Sequence, residues 1–177
     1  MLKVFSTIVL SSVLLMGCEQ NAQANDLQEM DDFHYVAQMA QRDNVPIMIM
    51  FTAKWCEFCN QLKREVLNPM IRGGLYDGYA MYMRQVSLDM HSPIKFSETE
   101  TIQKRQFARM YKADITPTLI FVDSRGLPVA EPIIGVADVQ LFGGMIHRSL
   151  NQAYENMGNP MRLPAMPEQM RRPLPTP

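Results

Sequence analysis

With three cysteines among its 177 residues, this chain cannot rest on a disulfide framework. Three histidines (His34, His91 and His147) are also few, and none stands at ligand spacing from a cysteine. Basic and acidic residues nearly cancel, 17 against 18, and no basic block occurs, which argues against nucleic acid as a partner. Nor is there an apolar run of the roughly 20 residues that a membrane-spanning helix needs. Internal repeats are absent. What is present is ordinary for a folded protein: 47% hydrophobic and 20% charged residues, in a length that suits one domain with a sizeable core.

Residues 1–17 read as an export signal, with Lys3 followed by an apolar stretch from Val4 to Met16. The stretch ends in Leu15-Met16-Gly17-Cys18, which resembles the lipobox of bacterial lipoproteins. That resemblance implies lipidation at Cys18, a membrane-anchored chain facing the periplasm, and residues 18–25 as a tether. Glu19 after the cysteine favours the outer membrane over the inner by the same analogy. The alternative is an ordinary signal peptide cut nearer Ala22 or Ala24, with Cys18 incidental. Export would put the remaining pair, Cys56 and Cys59, in an oxidising compartment where a disulfide persists.

Apolar spacing predicts a helix over 25–42, capped by Asn25 or Asp26, with Leu27, Met30, Phe33, Val36, Ala37 and Ala40 inward. The unbroken apolar run 46–51 predicts a strand covered on both faces. A helix follows over 60–67, ended or kinked by Pro69. Then come a strand over 79–88, a polar insertion over 89–100, and a helix over 101–112 with Ile102, Phe107 and Met110 inward. Strands over 118–122 and 128–136 flank a turn at Asp123-Ser124-Arg125-Gly126, and a last helix covers 138–157, weakened by Gly143-Gly144. Six prolines in residues 158–177 read as a disordered tail. The alternation of helix and strand implies a crossover-built α/β sheet with a closing hairpin.

Trp55-Cys56-Glu57-Phe58-Cys59 stands between the buried strand and a helix. At a helix start, unpaired N–H groups and the helix dipole stabilise a thiolate, which suits Cys56 as a nucleophile. Cys59 lies one turn on, placed to attack a mixed disulfide and release the product.

This motif, together with Ile115-Thr116-Pro117-Thr118 before a later strand, resembles the thioredoxin superfamily over 26–157, most closely its periplasmic thiol:disulfide interchange members. The resemblance implies an α/β thioredoxin-like fold, with a central mixed sheet flanked by helices. It implies Cys56 as the exposed nucleophile, Cys59 as the resolving thiol, and a cis Pro117 packed against the pair. The Thr116 backbone would pair with an extended substrate, while Trp55, Glu57 and Phe58 surround the site. Protein disulfides would be the substrates and a membrane electron donor the partner. No cofactor or metal is implied beyond the Cys56–Cys59 disulfide. Unlike thioredoxin, which has a buried aspartate six residues before its first cysteine, this chain has Met50 there. Proton transfer then needs water, Glu57 or a group brought near by folding. Between the cysteines, Glu57 opposes and nearby Lys54 favours a thiolate at Cys56.

Other readings of the same residues are half of a zinc site, a static disulfide on an inactive scaffold, and a disulfide-donating oxidase. A copper-binding module is also conceivable, given 16 methionines, since thioethers suit Cu(I). Met48, Met50, Met81 and Met83 alternate along strands, however, as core residues do.

Overall fold

The computed structural model describes residues 26–135 and 138–171. The signal segment 1–17, Cys18, the tether 18–25 and the last six residues lie outside that range. The described residues open with a two-residue strand, β1 (Gln28–Glu29), where the first helix was expected. Helix α1 (Phe33–Asp43) starts only after Asp32, whose Oδ1 accepts from Tyr35 N at 2.7 Å. Leu27 and Met30 are buried as expected, but from extended backbone that pairs with the sheet: Met30 N donates to Gln85 O. Asn44 closes α1 in the left-handed conformation, which asparagine tolerates.

Every residue of β2 (Ile47–Thr52) is buried, because both faces of this central strand are covered. A continuous helical stretch follows: α2 (Glu57–Leu62), a π turn (Lys63–Leu67) and α3 (Asn68–Arg72). Pro69 therefore does not end the helix. The wider turn before it, where Asn68 N bonds Lys63 O, absorbs the N–H that proline lacks.

Next come β3 (Tyr82–Ser87) and a hairpin of β4 (Pro93–Lys95) and β5 (Thr101–Gln103), where a polar insertion and the start of a helix were expected. Two features fold this segment onto the domain: Ile94 opposite Ile102, and Phe96 stacked on Phe33 with centroids 5.3 Å apart. Helix α4 (Lys104–Met110) is accordingly short, and Met110 is exposed rather than inward, since the helix ends there. Strand β6 (Thr118–Val122) matches expectation; β7 pairs only over Ile133–Ile134, with one bridge between Val122 and Pro128. Pro128 and Pro132 carry no N–H for a longer ladder.

The five-stranded sheet runs β1-β3-β2-β6-β7, with β2 parallel to β3 and antiparallel to β6. Helix α5 (Val139–Asn156), capped by Asp138, packs on the face that also carries α2 and α3. Helices α1 and α4 cover the other face.

Residues 158–171 are packed against the domain, correcting the reading of a disordered tail there. Asn151 and Leu163 exchange two hydrogen bonds of 2.7 and 3.0 Å, Asn159 Nδ2 donates to Asn44 O, and Leu163 and Met170 are buried. This strap crosses α5 at Gly143, where a methyl group would lie 2.5 Å from Pro167 Cγ. The glycine pair that weakens the helix on propensity is what lets the strap approach.

Candidate functional site

The chain leaves β2 at Thr52 and turns through Ala53, whose carbonyl accepts from Cys56 N at 3.0 Å. Asp89, from the loop after β3, steadies the turn by accepting from Lys54 N at 3.1 Å. Cys56 is the N-cap residue of α2, and its Sγ accepts from Cys59 N at 3.2 Å. An unpaired N–H at a helix start thus points at the first sulfur, where it stabilises developing negative charge.

Cys56 and Cys59 form a disulfide with Cα atoms 5.2 Å apart. Their environments differ. Cys56 is 8% exposed and Cys59 fully buried, so only the first sulfur can be approached from outside. Beneath them Met50 is fully buried, in register with Gln85 on β3 and Leu119 on β6, so no carboxylate flanks it on either neighbouring strand.

The Thr116–Pro117 peptide bond is cis. Pro117 is buried and its carbonyl accepts from Gly135 N, while Thr118 Oγ1 donates to Ile115 O at 2.7 Å. Thr116 and Trp55 line one groove of about 350 Å³ with Leu88, Arg105, Arg109 and Asp114. Fold therefore brings the two motifs, some sixty residues apart, to one end of the central strands β2 and β6. Trp55, Phe58 and Ile115 are 70%, 59% and 60% exposed, an apolar rim on an otherwise buried pair. Glu57 and Lys54 are both exposed, so their opposing effects on Cys56 are screened by water.

Among the described residues no cluster of three or more His, Cys, Asp and Glu side chains forms a metal cage. His91 is exposed in the loop before β4. His147 is buried on α5, bonded to Tyr76 Oη and Pro164 O. Met48, Met50, Met81 and Met83 are fully buried core residues.

Sequence reasoning missed Asp89, Arg105 and Arg109 as neighbours of the site. None belongs to a local motif; each is delivered by the loop after β3 or by α4.

The family model of the thioredoxin-like domain matches residues 33–147, well over half of the chain. No curated protein matches. Among solved structures, the DsbH oxidoreductase superposes with a TM-score of 0.51 at 16% identity, covering 79% of this chain and 94% of that one. Oxidised thioredoxin O2 from Arabidopsis thaliana gives 0.46 at 16% identity, with 70% and 94% covered. A thioredoxin-fold protein from Helicobacter pylori gives 0.47 at 12% identity, with 66% and 84% covered. By its family match and by its sheet, helices and cysteine pair, the chain belongs to the thioredoxin-like family.

Proposed function

We propose that this protein is a lipid-anchored, periplasm-facing enzyme that reduces or isomerises disulfides in other proteins. Thiol–disulfide oxidoreduction is the chemistry of its family and of its cysteine pair. The observation that carries the reading is the asymmetry of that pair: Cys56, 8% exposed, at a helix start, and Cys59 fully buried behind it.

In the reductive direction the Cys56 thiolate attacks one sulfur of a substrate disulfide, and the other substrate sulfur leaves with the bonding electrons. Cys59 then attacks Cys56 Sγ, releasing the second substrate thiol and leaving the Cys56–Cys59 disulfide. The pair carries both electrons, so the cycle needs no cofactor. The apolar rim of Trp55, Phe58 and Ile115 suits an unfolded or extended protein segment better than a small polar thiol. The backbone at Thr116, beside cis-Pro117, is the edge against which such a segment would pair.

Anchoring rests on Leu15-Met16-Gly17-Cys18, and Glu19 favours the outer membrane. Regeneration of the dithiol in that compartment calls for a membrane electron donor.

The test uses the full chain and its own reporter, since Trp55 adjoins Cys56. Fluorescence followed through graded thiol buffers yields the reduction potential. A value of about −270 to −200 mV supports a reductase, and one near −120 mV a disulfide donor. Cys56→Ser must abolish insulin reduction and Cys59→Ser must accumulate mixed disulfides; a Cys56→Ser protein with full turnover refutes the enzyme. Cys18→Ser must release the chain from the membrane fraction.

A further inference from the structure

Arg42, Arg64, Arg72, Arg84 and Arg125 each have a carboxylate within ion-pair distance. Arg105 and Arg109, four residues apart on α4, have none among the described residues. Arg105 Nε donates to Leu88 O at 3.0 Å, which ties α4 to the end of β3 and leaves the outer N–H groups of the guanidinium unpaired. Arg109 makes no hydrogen bond to another described residue, and both side chains are exposed.

Unpaired arginines on an open surface are usually just hydrated. These two stand apart because they line the groove of about 350 Å³ that Trp55 and Thr116 also line. Ala53, Ala108 and Ala113 are buried in the same lining, and their small side chains leave the space open. Asp114 is the single carboxylate of that lining, and it pairs with neither arginine. The groove therefore carries net positive charge on a chain whose formal net charge is −1.

Other charged groups near this end of the molecule do not change its sign. Lys112 is exposed just beyond α4, and Lys54 and Glu57 are exposed on either side of Trp55 and Cys56. Asp89 is engaged by Lys54 N. Lys104, on the same helix as the arginines, is already held by Glu29 and Asp31.

We propose that the preferred disulfide substrate is an acidic protein segment, whose carboxylates flank its reactive cysteine and pair with Arg105 and Arg109. The inference rests on the oxidoreductase reading and adds the substrate class. Trp55 adjoins Cys56 in the chain, so a segment whose sulfur is joined to Cys56 meets the groove within a few residues. Spacing fits as well as charge. Side chains four apart on a helix have Cβ atoms about 5–6 Å apart, and alternate side chains on one face of an extended segment repeat at about 6.6 Å. Guanidinium groups match carboxylates with paired N–H donors. Exposed pairs are individually weak, so these arginines choose among substrates more than they hold any one of them. A lysine-rich segment would meet like charge there and be disfavoured.

The test uses the reduced full chain carrying Cys18→Ser and three linear peptides, each joined through its cysteine to a quenched fluorescent thiol. The peptides differ only beside that cysteine, which is flanked by Asp and Glu, by their amides Asn and Gln, or by Lys. The acidic peptide should exceed the amide peptide in kcat/KM by about fivefold, the scale of two exposed ion pairs. The lysine peptide should fall below both. The difference should lie in KM and shrink as salt is added. Replacing both arginines, Arg105→Gln with Arg109→Gln, should bring the acid-to-amide ratio close to one. Arg109→Glu should move the preference toward lysine, and Lys112→Gln, which removes a charge outside the groove, should keep it acidic. Equal rates for the acidic and amide peptides in the parent overturn the proposal, as does a preference that survives the double substitution. Failure of the oxidoreductase reading looks different, because then no peptide is reduced faster than by an unfolded control. The groove is in that case judged by binding of the same peptides with serine for cysteine, followed through Trp55 fluorescence. Tighter binding of the acidic peptide supports the assignment, and equal binding refutes it.

Discussion

On one face of β2, Met48 and Met50 pack with Met70, Met81, Met83 and Cys59; on the other, Ile47, Ile49 and Phe51 pack with Phe33, Phe107 and Val86. A single strand, alternating side by side, thus feeds two unlike cores. The second is built on rings: Phe107 sits 5.8 Å from Phe33, 6.1 Å from Phe51 and 5.1 Å from Tyr111. Rings with fixed shape specify one arrangement of α1 and α4. The first is lined beside β2 by unbranched, adaptable methionines, holds the rings of Phe121, Phe142 and Tyr154 as well, and is the face that accommodates a disulfide and a strap. The lesson is a division of labour, with rigidity on the face away from the chemistry and adaptable packing behind the reactive sulfurs.

The largest expected break of that contrast is Phe107→Ala. Removing the ring shared by four aromatic neighbours, Phe33, Phe51, Phe96 and Tyr111, should cost about 3–5 kcal/mol, read as a lower denaturation midpoint at unchanged slope. Second is Gly143→Ala on the adaptable face. The added methyl collides with Pro167, so overpacking of about 1–3 kcal/mol should outweigh the helix-propensity gain of up to about 1 kcal/mol. Limited proteolysis should then cut within 158–171 first; a strap as resistant as the parent's contradicts the account.

A smaller effect is a pH dependence confined to the same face. The Pro164 carbonyl can only accept, so His147 Nδ1 donates to it and the neutral Nε2 accepts from Tyr76 Oη. Burial lowers the His147 pKa below its ordinary 6.5, against the opposing pull of the Pro164 carbonyl and Glu168. Below that ordinary value the unfolded chain takes up the proton first, so stability is full at neutral pH and falls as the pH drops. Urea midpoints measured from pH 7.5 to 5 should show the decline, and His147→Gln should flatten it. The smallest effect belongs to Met50→Leu. It keeps volume in an adaptable core, so it should cost under about 1.5 kcal/mol and leave disulfide exchange intact. A large loss of activity there would mean that the thioether itself takes part.

Much of the site was legible because its signals are local. Cys56 and Cys59 three residues apart at a helix start carry their chemistry in their spacing. A cis bond at Pro117 was implied by family resemblance alone, since an X-Pro bond in a folded protein is usually trans. The first helix was misplaced because Leu27 and Met30 have helical spacing but pair with a strand, and only the Asp32 cap marks the true start. The hairpin at 93–103 was misread because its stabilising contact, Phe96 on Phe33, spans some sixty residues. Proline content in 158–171 suggested disorder, yet Asn151 pairs the Leu163 backbone and the Asn159 side chain donates to the carbonyl of Asn44, far away in sequence.

By itself, the sequence determined what depends on near neighbours: a buried strand over 46–51, found one residue on at 47–52, the cysteine pair at a helix start, and the turn at 123–126. Tertiary structure alone decided what depends on register and on packing between distant segments. Only the pairing of β2 with β3 sets Thr52 beside Ser87 and Gln85 beside Met50, and only the loop after β3 delivers Asp89 to the turn before Trp55. Apolar spacing records that a residue will be buried. Which polar groups end up stranded beside it depends on the strand that arrives next to it.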